Sequence, residues 1–224
     1  MTAVRALKWI VAALVAALVV VVLVAILGGG DGGGGDSTTV AVAGCKEVSA
    51  PEPKQVSLPA PDQTVKKGEK LTAVVQTSCG AFDIALATDR APKTVNSFAY
   101  LARKGFYDGL DFYKVISGFA IYAGDPQGDG SGGPGYSVVE PPPAGATYDR
   151  RVVAMARDPG RPPGYSGSAF FVVTSTETGL PPDFALLGRV VGPYAAVARI
   201  NELATPEQKA AQPVLIEEIR IDKG

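Results

Sequence analysis

Histidine is absent from all 224 residues, and cysteine occurs only twice, at Cys45 and Cys79. Without imidazole there is no Ser-His-Asp triad, no Cys-His dyad and no His-ligated zinc. Two cysteines also exclude a four-cysteine metal site, so neither a metal nor a cofactor is expected. An excess of one charge is missing too: 21 basic and 22 acidic residues give a net charge of −1. Setting aside the first 27 residues removes Arg5 and Lys8 and no acid, which leaves about −3. No basic stripe supplies the electrostatic footprint that nucleic acid requires. No internal repeat is present. Any chemistry must proceed without imidazole.

One long apolar run is there. Ile10 to Leu27 is 18 apolar residues without a break, preceded by Arg5, Lys8 and Trp9 and followed by Asp31 and Asp36. At about 1.5 Å per residue it nearly spans the ~30 Å hydrocarbon core of a bilayer. The positive residues before it orient the amino terminus to the cytoplasm and the rest outside, a single-pass protein of the cell membrane. A cleaved signal peptide is the alternative, but its apolar region is normally 7–15 residues and closely followed by a small-residue site. Ala41-Val42-Ala43 and the lipoprotein-like box Val42-Ala43-Gly44-Cys45 both lie well beyond the run. Residues 1–27 are therefore read as a cytoplasmic stub and transmembrane helix, with a lipoprotein anchored at Cys45 as the alternative. In an oxidising compartment the two cysteines suggest a Cys45–Cys79 disulfide; two independent thiols are the other reading.

Residues 28–66 read as a flexible tether. Gly28–Gly35 has almost no packing side chains, and Pro51, Pro53, Pro59 and Pro61 stiffen the stretch that follows. The folded domain is assigned to 67–224. Leu71–Thr77 and Ala81–Ala87 are strand-like around a turn at Ser78-Cys79-Gly80. Ala91-Pro92-Lys93-Thr94 opens a helix with proline in its first turn, a buried stripe at Val95, Phe98 and Leu101 or Ala102, and Gly105 to close it. Phe112–Ile116, Phe119–Ala123, Arg151–Ala156, Ser168–Thr174, Leu186–Val191 and Val214–Ile221 are further short apolar strands. Tyr194–Leu203 is a second helix, with Val197, Ile200 and Leu203 inward. This pattern predicts a mainly β domain, a closed antiparallel barrel of about eight strands with two capping helices.

The run Phe112–Tyr136 is the most informative segment. It joins two strands at Ser117-Gly118, then enters a loop, and holds seven glycines in all. Gly128-Asp129-Gly130-Ser131-Gly132-Gly133 formally fits the dinucleotide fingerprint, but Gly132-Gly133-Pro134-Gly135 cannot begin the helix that phosphate binding needs. Nucleotide is not expected there. The run resembles the central signature of the cyclophilins, the peptidyl-prolyl cis/trans isomerases. Ala91–Phe98 is similar to that family's first helix, Val152–Ala156 and Gly167–Phe171 to its next two strands, and Leu180 through Val190 to the stretch completing its pocket. The resemblance spans Leu71 to Ile221.

What the resemblance implies is rotation about an Xaa-Pro amide, against a barrier of about 18–20 kcal/mol. No bond is broken, so no nucleophile, metal or general base is needed. Lys114 stands at the position of the family's donor arginine and is the expected catalytic residue. Phe119 and Phe171 match pocket aromatics and Leu180 an apolar pocket residue; Tyr113, Tyr122 and Phe184 are the other expected substrate-binding side chains. Tyr113 and Phe184 replace histidines, Tyr122 and Ala169 replace glutamines, Ala120 replaces a larger apolar residue, and Gly179 lies where some members carry tryptophan. The implied partners are proline-containing segments of exported proteins; without the tryptophan-like position and both glutamines, strong binding of cyclosporin-type ligands is not expected. A catalytically weak proline-peptide-binding module and an envelope scaffold with a filled pocket are the competing readings.

Overall fold

A computed structural model of the protein describes residues 44–224. The Ile10–Leu27 run and the first part of the tether lie outside the described residues. Among the described residues no helix is long and apolar enough to cross a membrane.

The domain begins with a hairpin. β1 (Leu71–Thr77) alternates buried and half-buried residues along its length, so Leu71, Ala73, Val75 and Thr77 face the interior. β2 (Gly80–Leu86) returns antiparallel, in register from Thr72 opposite Ala85 to Thr77 opposite Gly80. The turn between them is held by Thr77, whose hydroxyl donates to the Gly80 carbonyl (2.6 Å) and accepts from the Cys79 N–H (3.1 Å). Gly80 has φ +106°, a conformation with little steric cost only for glycine.

α1 (Pro92–Arg103) follows with proline at its start. Ala91 cannot cap it with a side chain, so the carboxylate of Glu140, 46 residues on, accepts from the Thr94 N–H (2.7 Å) and the Lys93 N–H (3.2 Å). A negative charge there also complements the helix dipole. Val95, Phe98, Ala99 and Leu101 are fully buried, which places the apolar stripe inward. Beyond it run β3 (Lys114–Ile116), β4 (Ala120–Ala123), β5 (Val138–Val139), β6 (Val152–Met155), β7 (Tyr165–Ser166), β8 (Phe170–Val173), β9 (Leu186–Val191), α2 (Ala195–Glu202) and β10 (Ile216–Lys223). α2 buries Ala196, Val197 and Ile200 against the sheet.

Eight strands form one antiparallel sheet in the order β10-β1-β2-β9-β6-β8-β4-β3, while β5 and β7 pair separately. The closed barrel expected from the sequence is corrected here. The order has two ends, β10 and β3, and no ladder joins them. Their edges meet only through the segment ahead of β3: Asp111 bridges Leu215, and the Gly109 and Phe112 N–H groups reach the carbonyls of Ile216 and Val214. β3 is three residues long and begins only at Lys114, too short and too late to continue the ladder onto β10.

Asp111 at that seam is a half-buried irregularity. Its Oδ1 has no partner, and burial, with the nearby charge of Asp125, pushes its pKa up. A raised folded-state pKa means that stability present below the unfolded value, about 3.9, is lost as pH climbs through the folded value. Asp111→Asn removes that loss. The expected result is a Tm roughly 1–3 °C higher at pH 7, shrinking to nothing below about pH 4, read by thermal melts across pH. An equal gain at both pH values would mean that charge is not the cause.

Residues 44–66, read from sequence as the carboxy-terminal part of a flexible tether, lie along the domain as a strap. Cys45 is disulfide-bonded to Cys79 in the hairpin turn (S–S 2.03 Å). The N–H groups of Lys46, Lys54 and Leu58 donate to the carbonyls of Ser78, Pro126 and Pro134 at 2.7, 2.7 and 2.8 Å. Asn96 on α1 fastens the far end: its Oδ1 accepts from Thr64 and Val65 N–H (2.8 and 3.0 Å), and its amide donates to the Asp62 carbonyl. Prolines suit such a strap, since a chain bonded at intervals needs few donors of its own. Val65, buried at its end, joins the main core.

Candidate functional site

The site forms where β3, β4, β6 and β8 meet the loops that follow them. β4 lies between β3 and β8, with Tyr122 opposite Lys114 on one side and Phe171 on the other. Period-2 alternation then puts Lys114, Tyr122, Phe171 and Ala154, the partner of Phe171 on β6, in one row across four strands.

That row divides into an apolar half and a polar half. In the apolar half Phe171 is fully buried, and its ring lies 5.2 Å from Tyr122 and 5.4 Å from Phe184, centroid to centroid. Ala120, Val173 and Leu186 complete the buried floor, with Phe119 and Leu180 partly buried against it. Phe184 is positioned by Tyr148: the Tyr148 hydroxyl donates to the Phe184 carbonyl (2.6 Å) and accepts from its N–H (3.0 Å), and the rings meet edge to face at 5.7 Å.

The polar half is a cavity of about 560 Å³, whose walls include Tyr113, Lys114, Tyr122, Ala156, Arg157 and Ala169, with Gly130–Tyr136 as its rim. The Lys114 ammonium sits 5.5 Å from the centroid of the Tyr122 ring, a cation–π contact worth about 0.5–1 kcal/mol when exposed. Lys114 makes no ion pair among the described residues. Tyr113, 6.4 Å from Tyr122, has its pKa raised mainly by burial, with the Asp125 charge adding to it; burial raises Tyr122 as well. Both phenols therefore stay neutral and able to donate at physiological pH.

The glycine-rich rim is built around one carboxylate. Asp125, 1% exposed, accepts from the N–H groups of Gln127 and Asp129 at 3.0 Å each, and from that of Gly130. A Cβ on Gly132 would lie 2.0 Å from Asp125 Oδ1, so only glycine fits. The amides that a phosphate would require are already occupied by an anion of the chain itself. The strap bonds to this same loop through Pro126 and Pro134.

All seven expected site residues lie in this region. Lys114, Tyr113 and Tyr122 line the cavity; Phe119, Phe171, Leu180 and Phe184 belong to the apolar cluster, and Tyr122 borders both. Three residues were missed from sequence, among them Asp125 beneath the rim. Tyr148 lies in an irregular stretch with neither period nor motif, and Arg157 in a loop broken by Pro159, Pro162 and Pro163. A lone aromatic after Gly145-Ala146-Thr147 carries no signal of the hydroxyl contacts it makes.

The site is thus an apolar pocket beside a cation that has no ion pair among the described residues, on an antiparallel sheet with two helices. The family model described as "Cyclophilin type peptidyl-prolyl cis-trans isomerase/CLD" matches residues 72–221, and the chain belongs to that family. It is 33% identical over 168 residues to "Peptidyl-prolyl cis-trans isomerase A" of Mycobacterium tuberculosis, covering 67% of this chain and 91% of that one. It is 33% identical over 175 residues to "Peptidyl-prolyl cis-trans isomerase B" of Streptomyces anulatus, covering 69% and 98%. Among solved structures, a Cryptosporidium parvum cyclophilin type peptidyl-prolyl cis-trans isomerase superposes with TM-score 0.64 at 26% identity, over 69% of this chain and 99% of that one. The same protein in the presence of the dipeptide Ala-Pro gives TM-score 0.63.

Proposed function

We propose that the protein isomerises Xaa-Pro bonds of exported proteins outside the cytoplasmic membrane and so assists their folding. The observation that carries this reading is Lys114, unpaired among acids, beside a buried aromatic floor. The proline ring is held over Phe171, between Phe119, Leu180 and Phe184. The planar amide owes its barrier to charge-separated resonance, so a dry wall disfavours it relative to the twisted state. As the amide twists, the prolyl nitrogen becomes pyramidal and gains a lone pair. Lys114 donates to that lone pair, an interaction present in the transition state and absent from the planar ground state, and so one that accelerates the step. Lysine holds the charge of arginine without its planar fork of donors, and the turnover is correspondingly modest.

The location outside the membrane rests on the apolar run Ile10–Leu27 and on the Cys45–Cys79 disulfide, since disulfides persist in oxidising compartments. A proline-peptide-binding module of weak turnover is the second reading, favoured by the Tyr122 ring that engages Lys114. NMR exchange spectroscopy on a blocked peptide with one Ala-Pro bond separates the two. Accelerated cis–trans exchange at catalytic protein concentration is the expected result, against an uncatalysed time of tens of seconds or longer. Peptide binding without acceleration, by folded protein, selects the binding module.

A further inference from the structure

We propose that the trough between the strap and the glycine loop binds the substrate chain ahead of the Xaa-Pro bond, as an extended segment held by main-chain hydrogen bonds; this rests on the reading of the site as an Xaa-Pro pocket. The strap is pinned to the loop twice. The Lys54 N–H donates to the Pro126 carbonyl (2.7 Å) and the Leu58 N–H to the Pro134 carbonyl (2.8 Å). The pins are four residues apart on the strap and eight apart on the loop. An extended chain advances at most about 3.6 Å per residue, so the loop has twice the chain it needs and bows away from the strap. A cavity of about 700 Å³ lies there, walled by Gln55, Val56 and Ser57 on one side and by Ser131, Gly132 and Gly133 on the other.

Both walls carry main-chain groups with nothing to bond. Among the described residues, no hydrogen bond is made by the N–H or C=O groups of Gln55, Val56 and Ser57, nor by those of Gly132 and Gly133. The loop is different up to Ser131. Asp125 takes the N–H groups of Gln127, Asp129 and Gly130, and Asp129 Oδ1 takes that of Ser131 at 2.8 Å. Its open stretch therefore begins at Gly132, where it faces the trough. Val56, midway between two N–H groups that both point at the loop, is half-buried, as are Gly132 and Gly133. A Cβ on Gly133 would meet no atom within 4 Å, so a guest chain can come close to its backbone. Unpaired main-chain edges of this kind are where an added strand binds.

Position selects the occupant. Ser131, Gly132, Gly133 and Gly135 border both this trough and the cavity beside Lys114, so the two are continuous. The prolyl nitrogen joins proline to the residue before it, and Lys114, the donor to that nitrogen, lines the cavity. The preceding residues of a bound peptide therefore enter the cavity, and the trough lies next along their path. Main chain facing main chain recognises a peptide of any sequence, which suits an enzyme acting on many clients. The strap wall precedes residue 72, where the family match begins, and is an addition of this chain. Held at Cys45 and by Asn96, it is ordered before the peptide arrives, which limits the entropy lost on binding.

The test uses the full-length, ¹⁵N-labelled protein kept in solution with a mild detergent, and blocked peptides with one Ala-Pro bond, lengthened by one alanine at a time at either end. Affinity is expected to rise about 10-fold once the amino-terminal extension reaches the trough, the size that a pair of backbone hydrogen bonds supports. The carboxy-terminal extension gives no comparable gain. The Val56 and Gly133 amides are expected to shift and to exchange more slowly with water under the long peptide, and to stay in place under the short one. N-methylation of the extension's backbone amides abolishes the gain and leaves the protein untouched. Val56→Pro, which deletes a donor of the strap wall, brings the long and short peptides to about equal affinity. Equal gains at both ends, or an N-methylated long peptide that binds as tightly as its parent, overturn the trough, while shifts at the Phe119 and Phe171 amides keep the pocket. If no peptide of the series moves those two amides, the pocket reading fails and this inference with it.

Discussion

Lys114→Ala lowers kcat/KM for Xaa-Pro isomerisation about 10²–10³-fold, with the domain still folded. The magnitude is that of removing one donor aimed at developing charge, about 2–4 kcal/mol of transition-state stabilisation. The residue sits on β3, half-buried, with its ammonium over the Tyr122 face. Deleting it breaks no ion pair among the described residues, so the fold is expected to lose little. Because the lost contact exists only in the transition state, kcat falls and peptide affinity stays nearly constant. Lys114→Arg works in the opposite direction. The planar fork restores a second donor and raises kcat, by more the weaker the native enzyme is. Both are read by exchange spectroscopy alongside a melt that confirms folding. An alanine variant within threefold of the native rate would move the donor role away from Lys114.

This prediction marks the difference between what the sequence carries and what it hides. Lys114, Tyr122 and Phe171 were named through the resemblance to the cyclophilins, while the strands that carry them were legible from their own pattern. Period-2 alternation and short turns fix which residues lie side by side, and the segments Leu71–Thr77 and Leu186–Val191 coincide with β1 and β9 residue for residue. The helix stripes at Val95, Phe98 and Leu101, and at Val197 and Ile200, are buried for the same reason. Closure of the sheet was not legible. It depends on whether Gly109–Phe112 makes a ladder or only a bridge to β10, a matter of a few hydrogen bonds with no pattern in the side chains.

The residues that brace the site were hidden for a different reason. Tyr148 and Arg157 act through bonds to the Phe184 backbone and the Asp183 carboxylate, 36 and 26 residues away, and Asp125 through amides two to five residues along its own glycine loop. Such bonds leave no period and no spacing. The strap was hidden twice over, because Pro51, Pro53, Pro59 and Pro61 read equally well as a stiff linker and as a chain laid on a surface. Only the acceptors waiting at Ser78, Pro126 and Pro134 decide between those, and they lie 32 to 76 residues downstream of the strap donors.

Replacing both Cys45 and Cys79 by serine destabilises the domain by about 3–4 kcal/mol, the chain-entropy value for a crosslink of 34 residues' separation. In a domain of this size that corresponds to a Tm roughly 6–12 °C lower, with reductant producing the same shift in the native protein. The consequence extends to the site. The disulfide anchors one end of the strap at the hairpin turn and Asn96 anchors the other; between them the strap bonds Pro126 and Pro134 on the glycine loop that rims the cavity. Freed at Cys45, the strap keeps Asn96 and Val65 but loses the restraint on its first twenty residues or so. Amide exchange is therefore expected to accelerate at Lys46 and Lys54, less at Leu58, and hardly at all at Val65. Peptide affinity falls with it, since a looser rim must be ordered on binding at an entropic cost. Unchanged Tm with uniformly protected strap amides in the serine variant would show that the strap is held by its hydrogen bonds alone. A graded loss along the strap, steepest at its amino-terminal end, ties the order of the substrate cavity to a bond that only an oxidising compartment preserves.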